Sequence, residues 1–188
     1  MTPDVLTTRT LWYLARGTGV VSFVLLTAIV VLGICAQMGI GARAIPRFAT
    51  TILHRNLSLL VLAFLAIHIA SSVLDPYAAI SWTDAVIPLR AGYRPLWLGL
   101  GAVALDLLLA LAITSLLRAR IGLRTWRSIH WLAYACWPIA LVHALGTGTD
   151  VRGAWLPWVA GACAALVTAG AGWRVARTHA ITARLTGR

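Results

Sequence analysis

Residues 54–74 read HRNLSLLVLAFLAIHIASSVL, and residues 56–74 within this stretch carry no charge. A run of that length can cross a hydrocarbon core of about 30 Å as a helix that rises about 1.5 Å per residue. One histidine begins the stretch and a second lies near its other end. The stretch therefore predicts a transmembrane helix with an imidazole towards each end.

Four further runs of the chain have the same length and apolar character. They are residues 17–42, residues 95–117 with Asp106 as their one charge, residues 128–149 and residues 153–173. We therefore predict an all-α integral membrane protein with five transmembrane helices in a bundle, forming a single domain over residues 1–188. The predicted helices cover about residues 12–38, 51–74, 95–117, 127–146 and 154–175.

The composition excludes a soluble globular enzyme and a disordered tail. Hydrophobic residues make up 60% of the chain and charged residues only 11%, whereas about 25% of an ordinary soluble domain is charged. The net charge of +11 comes from arginines that stand between the apolar runs. Such a distribution indicates membrane topology and contact with membrane lipid, and no nucleic-acid partner is expected.

The arginines also predict the orientation of the helices. Eleven of them lie in the first loop, the third loop and the C-terminal tail, and five lie on the opposite side. Because arginine-rich loops stay in the cytoplasm, we predict an N-terminus outside and a C-terminus inside. Arginine without any lysine is typical of high-GC bacterial coding, so a bacterial cytoplasmic membrane is the expected location.

Four histidines lie within two of the predicted helices, which run in the same direction. His54 and His130 fall at one depth near the cytoplasm (the inner pair), and His68 and His143 fall at another near the outside (the outer pair). The two depths are about 21 Å apart. Imidazoles are poor neighbours for lipid, and a haem iron takes two axial ligands from opposite sides. The pattern therefore predicts two bis-histidine haem sites, with four histidines bonded inside a cofactor-free bundle as the alternative.

Helical phase agrees with this arrangement for one helix and not for the other. At 100° per residue, His68 comes to within about 40° of His54. His143, thirteen residues after His130, is about 140° away from it. We therefore predict an irregular helix around Tyr134–Pro138, because proline removes a backbone hydrogen bond.

The motifs around these histidines resemble those of a known family. His54-Arg-Asn-Leu…His68 is followed two helices later by Trp126-Arg-Ser-Ile-His130…His143-Ala-Leu-Gly-Thr-Gly-Thr-Asp150. In this spacing the chain resembles the ferric-reductase-like transmembrane domain of ferric reductases, NADPH oxidases and the haem subunit of methionine sulfoxide reductase systems. The resemblance covers about residues 11–175.

The resemblance implies two b-type haems and electron transfer from the inside to the outside. The implied iron ligands are His54, His68, His130 and His143. Arg16, in Ala15-Arg16-Gly17, resembles the family's arginine near the outer haem, with a snorkelling flank residue as the alternative. Trp137 resembles the aromatic residue between the haems and is equally compatible with packing.

Many relatives carry a cytoplasmic flavin and nicotinamide domain. Only some 15 residues follow Trp173 here, so flavin is expected only on a separate partner. We expect an oxidoreductase electron-transfer subunit without catalytic residues, between a cytoplasmic or membrane donor (flavoprotein, flavin or quinol) and an extracytoplasmic acceptor. The alternatives are a quinol-oxidising cytochrome b membrane anchor and a transporter or assembly subunit without haem.

Asp106 is a carboxylate at mid-depth in a predicted span. A charge there costs about 2.5–3.5 kcal/mol on the insertion scale. We therefore expect Asp106 to face the bundle, either to orient a ligand imidazole or to bond a neighbouring helix.

Overall fold

The computed structural model describes residues 5–38, 47–77, 79–147 and 155–186, and within these ranges it contains helices and no strands. The helices are α1 (Val5–Gln37), α2 (Arg47–Leu74), α3 (Trp82–Val86), α4 (Pro95–Leu116), α5 (Arg118–Ile121), α6 (Leu123–His130), α7 (Ala133–Thr147) and α8 (Trp155–Thr186). The predicted all-α class is therefore confirmed for this part of the chain.

Five segments of the described chain are long and apolar enough to cross a membrane. They are Arg9–Gln37, Phe48–Leu74, Pro95–Leu116, Leu123–Thr147 and Trp155–Ala180. They match the five predicted spans, and the protein is a multi-pass membrane protein. The last helix continues to Thr186, beyond its predicted end at residue 175, because residues 176–186 contain neither glycine nor proline to stop it.

The spans form a bundle in which α1 packs against α2, and α4 packs against α7. Helix α1 also contacts α7 and α8, so it lies at the centre of the described structure. The buried core comprises Phe23, Leu26, Val30, Ile34, Leu111, Cys136, Trp137 and Cys163. Most of these residues lie at levels of the bundle between those of the inner and the outer histidines. The apolar core therefore separates the two pairs.

The fourth span is interrupted between its two histidines. Helix α6 ends at His130 and α7 begins at Ala133. Three N–H groups within residues 132–135 donate to carbonyls three residues earlier, at 2.9–3.0 Å. Such turns advance about 120° per residue instead of 100°, which reduces the mismatch in phase between the two histidines. The span is irregular between its two histidines, but the break lies at residues 131–132. The predicted position was wrong, because residues 134–138, with Pro138, lie inside the continuous helix α7.

Arg94 joins α4 to α7 at the end of the bundle that contains His143. Its guanidinium donates a hydrogen bond of 2.8 Å to the carbonyl of Gly146. A Cβ at Gly146 would collide with the indole of Trp97, so this position requires glycine. These contacts fix the register of α4 against α7 beside His143.

The orientation of the bundle remains a prediction from the arginine distribution. A green fluorescent protein fused after residue 188 is expected to fluoresce, and alkaline phosphatase fused there is expected to be inactive. Alkaline phosphatase fused after residue 90, between α2 and α4, is expected to be active. The reverse pattern would show that the N-terminus is cytoplasmic.

Candidate functional site

The inner histidines face one another across the bundle. The ring centroids of His54 on α2 and His130 on α6 are 6.3 Å apart, and the ring planes are inclined by 58°. A metal ion about 2 Å from one nitrogen of each ring would place the centroids about 6 Å apart. Trp126 stacks on the His130 ring with the centroids 4.8 Å apart. The spacing therefore fits an ion held axially between two imidazoles.

The outer histidines, His68 on α2 and His143 on α7, line one cavity of about 330 Å³. Most of the cavity wall is apolar, and its polar groups include Arg16, Ser72 and Thr147. An apolar cavity with a few convergent polar groups is typical of a cofactor site.

Hydrogen bonds fix the orientation of both outer rings. The Nδ1 atom of His68 lies 2.6 Å from the carbonyl oxygen of Ala15. The Nδ1 atom of His143 lies 2.8 Å from the carbonyl oxygen of Trp97. Because a carbonyl only accepts hydrogen bonds, Nδ1 carries the proton and Nε2 is the nitrogen left to bind a metal.

Glycines of the neighbouring helices make room for three of the four rings. A Cβ built on Gly19 would come within 2.9 Å of His68, and one on Gly101 within 2.5 Å of His143. At Gly33 the distance to His54 would be an ordinary 3.7 Å. The outer rings therefore require glycine beside them, whereas the inner ring of His54 does not.

Trp137 lies in the buried core between the two pairs. Its ring stacks on Phe23 with centroids 5.7 Å apart. Its indole N–H donates to the hydroxyl of Thr27 at 2.9 Å, and that hydroxyl donates to the Phe23 carbonyl. Trp137 therefore ties α7 to α1 halfway between the pairs, a position that suits both packing and an aromatic bridge.

Arg16 is close to the outer pair. Its side chain lines the cavity that contains His68 and His143. The guanidinium carbon lies 4.1 Å from the centre of the Trp12 ring, a cation–π contact. A fixed positive charge at the cavity wall suits an anionic group of a bound cofactor.

The expectation that Asp106 faces the bundle is wrong. Its side chain is exposed on α4, on the same side as the exposed Ile113. This face of α4 is covered only nearer the outer end, where Leu89 packs against Gly99. Asp106 is therefore on the membrane-facing surface of the described structure and touches neither histidine pair.

Within the described ranges, no three His, Cys, Asp or Glu side chains lie close enough together to hold a metal ion. Sequence reasoning missed Gly19, Gly33 and Gly101 as neighbours of these rings. A signal was present, because Gly19 and Gly33 have the same separation as His54 and His68.

Five spans that enclose two layers of paired histidines define a polytopic membrane protein with two candidate cofactor sites. The family model described as ferric reductase like transmembrane component matches residues 18–146, more than half of the chain. The chain therefore belongs to this family, as the resemblance indicated, and all four histidines lie in the matched region. The family assignment points to transmembrane electron transfer. No curated protein and no solved structure matches the chain.

Proposed function

We propose that the protein conducts electrons across the membrane through two b-type haems, one held by the inner pair and one by the outer pair. The observation that supports this most strongly is the facing arrangement of His54 and His130, 6.3 Å apart on different helices. A bound haem would supply an iron that exchanges single electrons and accepts no hydride. The donor is a separate flavoprotein, flavin or quinol, and the acceptor is extracytoplasmic.

The side chains around the pairs have separate tasks in this proposal. His54, His68, His130 and His143 would hold the haem irons through their ring nitrogens. Arg16 neutralises an acidic group at the outer site, where the cavity wall is otherwise mostly apolar. The core around Phe23 and Trp137 keeps water out of the space between the pairs, and the low dielectric there strengthens the polar contacts of each site.

Haem content tests the proposal directly. Protein purified from haem-sufficient cells is expected to show a Soret band, a sharp α-band on reduction, and two haems per chain by pyridine haemochrome. The same protein made under haem limitation is the control, and its absorbance should rise when haem is added. Colourless protein from haem-sufficient cells would contradict the proposal and favour a transporter or assembly role.

A further inference from the structure

The outer rings share a feature of the helices that face them, which we call a ring seat. A ring seat is a glycine beside the imidazole together with the backbone carbonyl four residues before that glycine. The two outer seats are Gly19 with Ala15 for His68, and Gly101 with Trp97 for His143. In both seats the missing Cβ lets the ring approach closely enough for Nδ1 to reach the carbonyl, at 2.6 and 2.8 Å.

The seat of His54 is present but incomplete. Gly33 lies beside the ring at a relaxed distance, and the residue four positions earlier is Ile29. No hydrogen bond of ordinary length and angle reaches Nδ1 of His54, which is buried without a partner.

The ring of His130 makes no such hydrogen bond either. Nδ1 of His130 is buried without a partner.

This asymmetry has an electronic consequence. A hydrogen bond from Nδ1–H to a carbonyl makes an imidazole a stronger electron donor to a metal. More basic axial ligands stabilise ferric over ferrous iron, and hydrogen bonding around the ligands is one of the ways a protein sets a haem potential. Both outer rings have this bond and neither inner ring does.

We propose that the protein tunes its two haem sites unequally, with the outer site at the lower midpoint potential, and that Gly19 and Gly101 are the positioning residues that set this difference. The inference rests on the proposed function. It makes the outer pair the stronger reductant, on the side where the acceptor binds.

Glycine-to-alanine variants test the seats, with redox titration and the electron paramagnetic resonance signals of the ferric haems as readouts. Gly19→Ala and Gly101→Ala are expected to raise the outer midpoint potential and shift the outer signals, because the new Cβ pushes the ring away from its carbonyl. Gly33→Ala should leave both sites unchanged. Gly17→Ala is the matched control, because a Cβ there meets nothing within 4 Å.

The order of the potentials gives a test that does not need the glycine variants to fold. His54→Ala/His130→Ala protein should keep only the outer haem, and His68→Ala/His143→Ala protein should keep only the inner one. The midpoint potential of the outer haem in the former should be lower than that of the inner haem in the latter.

Two results would overturn the inference: an outer potential equal to or above the inner one, or no larger shift in Gly19→Ala than in Gly17→Ala. Two haems with equal potentials would refute only the unequal tuning. Wild-type protein without haem would refute the proposed function, and the inference with it.

Discussion

Replacing His54 with alanine is expected to reduce the haem content from two per chain to one, and replacing His130 is expected to remove the same haem. Either change removes one of the two ring nitrogens that would hold one iron, and the rings are placed to share it. His68→Ala and His143→Ala are expected to remove the other haem, because both rings line one cavity. Pyridine haemochrome gives the count, and the signals that remain identify the surviving site.

Double variants make the pairing test sharper. His54→Ala/His130→Ala protein should retain one haem, because both changes fall on one site. His54→Ala/His143→Ala protein should retain none. His179→Ala, which changes an exposed histidine on α8, is the matched control and should retain both. If the His54→Ala/His143→Ala protein kept one haem, the pairs would have been assigned incorrectly.

The five spans could be predicted from the sequence because the bilayer imposes a simple rule on composition. Each charge-free run had to become a helix, since every backbone polar group in lipid must be bonded within its own segment. The depth of each histidine followed from its position in such a run. Depth alone leads one to expect that His54 faces His130 and that His68 shares a cavity with His143.

The surroundings of the rings were harder to predict because they depend on neighbours far away in sequence. Only the packing of α4 against α7 places Gly101 beside His143. The same limitation explains the error at Asp106. The charge and the depth of Asp106 could be predicted from the sequence. Whether its face of α4 is covered depends on where α3 and the segment around Leu89 pack.

Electrons are expected to enter at the inner pair, His54 and His130, and to leave at the outer pair. An electron that moves outward from a negative cytoplasm gains about 2.3 kcal/mol per 100 mV of membrane potential. The surface beside His130 is also basic, since Arg118, Arg120, Arg124 and Arg127 are exposed on α5 and α6. Such a surface suits an acidic flavoprotein or an anionic flavin as well as lipid headgroups.

Vesicles of known orientation test the direction. A reductant confined to the cytoplasmic face should reduce both haems, and an impermeant oxidant on the other face should reoxidise them. In His54→Ala protein the same reductant should leave the outer haem largely oxidised, because the entry site is lost while the outer ligands remain. His179→Ala should behave like the wild type. Reduction only by donors at the outer face would show that the direction is reversed. If the outer site has the lower potential, an imposed membrane potential, negative on the cytoplasmic side, should increase its reduction, because the field then offsets the unfavourable step between the pairs.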